Sequence, residues 1–159
     1  MRRLCIPAGL VCLLLLSIPA QADWTIASHK DRLTDKETRT ASLSARQPDH
    51  GIAARLTVHC LDHELVGGLI ISIETAATFT RGRMGLRFRV DDSEAQLRFM
   101  PVNAQGNGMA QWTDPEDLRG ARRLRVELEP ARSPNLFYEF DLAGVDKALD
   151  RIPCTRTRS

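Results

Sequence analysis

Met84-Gly85-Leu86-Arg87-Phe88-Arg89-Val90 decides the fold class. Met84, Leu86, Phe88 and Val90 fall on one side of an extended chain, and Gly85, Arg87 and Arg89 on the other. A period of two over seven residues is the mark of a strand with one buried face. Asp91-Asp92-Ser93-Glu94 supplies turn chemistry, after which Ala95, Leu97 and Phe99 begin a return strand at alternate positions.

The same period runs outward in both directions. Leu56, Val58 and Cys60 alternate with Arg55, Thr57 and His59. Leu69, Ile71 and Ile73 repeat the pattern after Gly67-Gly68, with residues 61–68 as a hairpin connection or a bulged strand start. Leu124, Val126 and Leu128 alternate with Arg123, Arg125 and Glu127 up to Pro130. Ser133-Pro134-Asn135 then turns the chain into a strand over 136–142. Trp24-Thr25-Ile26 reads as a strand, 31–36 as a polar turn, 38–45 as another strand and 46–51 as a loop. Residues 103–109 form a Gly- and Asn-rich connection, Trp112 packs over a sheet edge, and Asp114-Pro115-Glu116-Asp117 starts a short helical turn. One helix is expected: Val145, Ala148, Leu149 and Ile152 recur at i, i+3, i+4 and i+7, and Pro153 stops it.

The first residues carry a different signal. Met1-Arg2-Arg3, an apolar run strongest over 10–16, and Ser17-Ile18-Pro19-Ala20-Gln21-Ala22 read as a signal peptide cleaved after Ala22. That expectation places the protein in the periplasm or outside the cell, with no stable transmembrane segment after cleavage. Cys5 and Cys12 leave with the leader, so Cys60 and Cys154 remain as a disulfide pair clamping the helix end to a central strand. Closing so long a loop is worth about 4 to 5 kcal/mol in the chain-entropy picture.

The chain has 22 Lys and Arg against 20 Asp and Glu, and loss of Arg2 and Arg3 makes the two signs equal. A neutral domain is not the composition of a nucleic-acid binder, which needs a basic face or stripe.

No local motif specifies catalysis. His59-Cys60-Leu61-Asp62-His63 groups metal-ligating residue types, but on a strand His59 points away from Cys60, and neither C-x-x-C nor H-E-x-x-H is present. The acids at Asp91, Asp92, Glu94, Asp31 and Asp35 lack EF-hand spacing, and Gly106-Asn107-Gly108 lacks a phosphate-binding ending. Neither metal nor cofactor is implied. Arg83, Arg87, Arg89, Arg98, Arg123 and Arg125 lie on or beside expected strands and make a basic patch if those strands are neighbours, with Arg87, Arg89, Arg123 and Arg125 as the candidate partner-binding residues and Trp112 anchoring one rim. A solvated face laced with Glu127, Glu129, Glu139 and Asp141 is the plainer reading of the same residues.

Asp23-Trp24-Thr25-Ile26, Leu33-Thr34-Asp35, Leu56-Thr57-Val58-His59-Cys60, and Phe140-Asp141-Leu142-Ala143-Gly144-Val145 through Ala148-Leu149 to Cys154 resemble a group of small exported bacterial proteins. These are the type VI secretion-associated periplasmic accessory proteins and their uncharacterised relatives. The resemblance spans nearly all of residues 23–154. It implies a tryptophan strand opening the domain, a strand cysteine ahead of a series of antiparallel strands, and a short helix before a second cysteine. Gln111-Trp112-Thr113-Asp114-Pro115 departs from that pattern.

The sequence therefore predicts a leader over 1–22, one mainly β domain over 23–154 and a polar tail over 155–159. The domain is expected to be an antiparallel β-sandwich or curled sheet with a short C-terminal helix. Its expected role is a non-enzymatic accessory or binding protein of the bacterial cell envelope, with an envelope protein or an anionic envelope component as partner. The alternatives are a periplasmic hydrolase using His59 or His63 and a purely structural assembly component.

Overall fold

The computed structural model describes residues 22–61, 68–79, 82–113, 118–130 and 134–152. The expected leader up to Gln21, the tail, Pro153, Cys154, His63 and the turn at 114–117 lie outside the described residues. Nine strands and one helix follow in chain order among those described: β1 Thr25–Lys30, β2 Glu37–Ser44, β3 Ala54–Leu61, β4 Gly68–Thr75, β5 Arg83–Val90, β6 Gln96–Pro101, β7 Gly108–Thr113, β8 Arg123–Leu128, β9 Leu136–Asp141 and α1 Val145–Leu149. They form two antiparallel sheets, ordered β1-β2-β3-β4-β7 and β6-β5-β8-β9. The fold is mainly β and sandwich-like, with the helix at its C-terminal end.

Cross-strand register explains how the apolar positions become a core. In the first sheet Leu43 faces Leu56, which faces Ile73, and Ala41, Val58 and Ile71 form the neighbouring row. In the second, Leu86, Leu128 and Leu136 align, as do Phe88, Val126 and Tyr138, and then Val90, Leu124 and Phe140. Because side chains alternate, each row lies on one face and meets the other sheet as a layer.

One side of the sandwich is tightly closed. Leu128, Leu136, Tyr138 and Phe140 are fully buried, and the β2–β3 connection lies along the β9 edge. There the Arg46 amide donates to the Glu139 carbonyl at 2.8 Å and the Phe137 amide to Asp49 Oδ2 at 2.7 Å. The Tyr138 hydroxyl donates to the Ile52 carbonyl at 3.1 Å and lies 3.4 Å from Thr75 Oγ1, tying β9 to β4 across the core. Burial raises the Tyr138 phenol above its ordinary pKa, in keeping with a hydroxyl held protonated as a donor.

Several expectations are refined. Strand β7 does not follow from the sequence pattern: residues 103–107 are the loop, and the chain then pairs with β4, placing Trp112 opposite Ile70. The loop is built rather than loose. Asn103 Oδ1 accepts the Asn107 amide at 3.0 Å, and a Cβ on Gly108 would lie 2.8 Å from Asn103 Nδ2, so a side chain there would have to displace the Asn103 amide. The helix is shorter than expected and ends at Leu149, with Ile152 buried in the turn that follows.

Among the described residues the expected disulfide pair is not seen. No two sulfurs among the described residues lie within bonding distance, Cys60 being the only cysteine among them. Cys60 is partly buried against the core and is held in a disulfide, while Cys154, its expected partner, lies outside the described residues. Val145, Ala148, Leu149 and Ile152 seat the helix by apolar burial. Asp146 Oδ1 accepts the Gly120 amide at 3.0 Å, and Arg119 pairs with Asp150 at 3.0 Å.

Candidate functional site

The outward face of the second sheet collects the residues that the sequence singled out. Arg87 and Arg89 on β5 and Arg123 and Arg125 on β8 project there, with Arg87 opposite Glu127 and Arg89 opposite Arg125. Two arginines directly opposed would repel, and surrounding carboxylates offset this. Asp92 Oδ1 lies 3.7 Å from Arg89, 3.6 Å from Arg123 and 3.9 Å from Arg125. Arg125 also approaches Glu139 at 3.8 Å, and Arg87 pairs with Glu127 at 3.2 Å.

Arg46 extends the network by reaching Glu139 at 3.1 Å and Asp141 at 2.9 Å. Partial burial would raise the Asp141 pKa, but the Ala143 amide and the Arg46 guanidinium outweigh it and hold the carboxyl below its ordinary value. Asp91 acts on the backbone instead, its Oδ1 accepting the amides of Arg122 and Arg123 at 2.9 and 2.8 Å. It anchors the chain leading into β8. The four arginines thus share one face but do not make a bare cationic patch. Their Coulomb field is largely met by neighbours within the same sheet.

An apolar group on that face does not stand out in the sequence. Leu97 and Phe99 on β6 are 61% and 62% exposed, and Phe137 on β9 is 53% exposed. Gly85 lies opposite Phe99, and Arg87 opposite Leu97. This register sends Leu97 and Phe99 outward and turns Gln96, Arg98 and Met100 toward the first sheet. Apolar residues occupy both phases of β6, so alternation alone does not reveal its inner face. The usable signal is Gly85, whose missing side chain leaves room beside two large apolar groups.

The remaining candidates are not brought together. Trp112 belongs to β7, in the other sheet. His59 lies with Arg55 and Thr57 on the face of β3 opposite Cys60, and burial lowers its pKa, with Glu74 opposing the shift. No group of three or more His, Cys, Asp or Glu suited to a metal ion occurs among the described residues. No helix among them is long and apolar enough to cross a membrane.

No protein-family model, curated protein or solved structure matches this chain.

Proposed function

We propose that this chain is a non-enzymatic periplasmic accessory or binding protein of the bacterial cell envelope, and that it engages a protein partner through the outward face of the β6-β5-β8-β9 sheet. The observation that carries this reading is the pair Leu97 and Phe99, both more than half exposed and adjacent on an outermost strand. Phe137 and the arginines share that face. Aromatic and arginine side chains are enriched where proteins meet, and a few apolar anchors carry most of the binding energy.

The charge arrangement favours a protein over an anionic polymer. Arg87, Arg123 and Arg125 each lie beside a carboxylate, so a polyanion would have to displace Glu127, Asp92 and Glu139. A mixed protein surface can pair with both signs. The sequence resemblance to secretion-associated accessory proteins suggests an envelope machine as the setting.

The test is a Leu97→Asp/Phe99→Asp variant expressed in the native envelope and crosslinked in place. The proposal expects a discrete protein adduct of the unaltered chain that disappears in the variant, with the melting temperature little changed. An adduct of equal yield from the variant would refute it.

A further inference from the structure

The sandwich is closed along β9 but open along β6. Ile71, Phe88 and Val90 point into the space between the sheets yet are only partly buried, whereas Tyr138 and Phe140, in the same rows as Phe88 and Val90, are wholly covered. A cavity of about 250 Å³ fills the difference. Ile71 and Ile73 wall it from one sheet, and Leu86, Phe88 and Val126 from the other.

The polar side chains bordering this cavity are Ser93, Gln96 and Arg98. Arg98 stands opposite Leu86 on the inward phase of β6, the phase that on the neighbouring β5 and β8 is apolar. Its guanidinium carbon lies 5.3 Å from the Phe88 ring centroid, and Nη2 donates to Gln96 Oε1 at 3.3 Å. No carboxylate among the described residues pairs with it, in contrast to Arg87, Arg123 and Arg125 on the outer face. The cleft therefore joins a partly exposed apolar wall to a guanidinium whose charge no carboxylate among the described residues offsets.

We infer that this inter-sheet cleft is a binding site for a single-chain anionic amphiphile, its chain lying between Ile71 and Leu86 and its carboxylate or phosphate meeting Arg98. Arginine's planar fork suits either oxyanion through paired N–H donors, and cation–π contact with Phe88 holds the group at the boundary between apolar wall and solvent. The volume lies just below the roughly 300–1,000 Å³ of pockets that enclose drug-sized ligands. That suits one chain of moderate length and excludes a two-chain lipid lying wholly inside. The site is independent of the outer face, because Leu97 and Phe99 do not line it.

The test is calorimetric titration of the purified protein with decanoate, decyl phosphate, decanol and decyltrimethylammonium, each below its micelle concentration. Methyl NMR is recorded in parallel on the unaltered chain. One-to-one binding of decanoate or decyl phosphate, with shifts at Ile71, Ile73 and Leu86, supports the site, and the tighter of the two identifies the headgroup. Arg98→Gln should weaken that binding about tenfold or more, the scale of one charged hydrogen bond, while Leu97→Asp/Phe99→Asp leaves it unchanged. Decanol binding as tightly as the anions, or shifts confined to Leu97 and its neighbours, would overturn the proposal. Absence of binding by all four compounds would also overturn it and leave Arg98 as an inward charge that protects an edge strand from pairing.

Discussion

Gly85 sits directly opposite Phe99 across the β5–β6 ladder, and a Cβ placed on it would lie 3.2 Å from Leu97 Cδ1 and 3.9 Å from Phe99 Cε1. The two exposed apolar side chains flank a position where the sheet has no side chain of its own. Gly85→Val should fill this space and push Leu97 aside at little cost to folding, because Leu97 is exposed and can move. Partner capture should fall severalfold while the urea midpoint shifts little, as read by crosslinking yield and denaturation on one preparation. Undiminished capture with a filled depression would show that the partner does not use it.

Tyr138 joins the sheets through a single oxygen, donating to the Ile52 carbonyl at 3.1 Å and lying 3.4 Å from Thr75 Oγ1. Tyr138→Phe keeps the ring but leaves the Ile52 carbonyl without this donor, and should cost about 1 to 3 kcal/mol in urea unfolding. Tyr138→Ala also opens a cavity in the layer and should cost about 3 to 5 kcal/mol, by analogy with other large aromatic truncations. Equal stability of Tyr138→Phe and the unaltered chain would remove the hydroxyl from the account of how the sheets are tied.

Acid should weaken the fold in two separate steps. Burial lowers the His59 pKa below its ordinary 6.5, so the unfolded chain takes up that proton first. The His59 contribution is intact above about pH 6.5, declines as pH falls below that value, and reaches its full loss once pH is below the folded-state pKa. Asp141 is lowered from 3.8, so its contribution is present above that value and disappears as pH drops through the lowered one. His59→Gln should flatten the upper step in a stability-versus-pH series, and Asp141→Asn the lower. An upper step that survives His59→Gln would assign it to another group.

Arg87 and Glu127 face one another at 3.2 Å on the exposed face. Arg87→Glu places like charges in direct opposition and should cost about 0.2 to 1 kcal/mol, with Glu127→Arg restoring most of it in the double variant. Chemical denaturation of the four proteins measures the coupling. Full additivity would mean that the pair contributes nothing to the face.

The fold is legible where one phase of a strand is apolar and the other is not. Met84 to Val90 and Arg123 to Leu128 meet that condition, and their rows of Leu, Phe and Val form the inner face of the second sheet. Strand β7 escapes such a reading because Met109-Ala110-Gln111-Trp112 has no clear period and follows a Gly- and Asn-rich loop. The four outer-face arginines can be placed on strands, but neither the adjacency of those strands nor their carboxylate partners, because β5 and β8 are distant in sequence and Asp92 and Glu139 reach the arginines through a turn and a cross-strand register. Leu97, Phe99 and Arg98 are assigned to faces only by pairing with β5, since the more apolar phase of β6, Leu97 and Phe99, is the one that points outward.

The most direct measurement replaces Phe99 with a photo-crosslinking amino acid and illuminates the protein in its native envelope, with Arg55 on the outward face of the other sheet as the matched position. A docking surface on the β6-β5-β8-β9 sheet gives a discrete protein adduct from position 99, none from position 55, and loss of that adduct when Leu97→Asp is added. Equal adducts from both positions, or from position 55 alone, would contradict it.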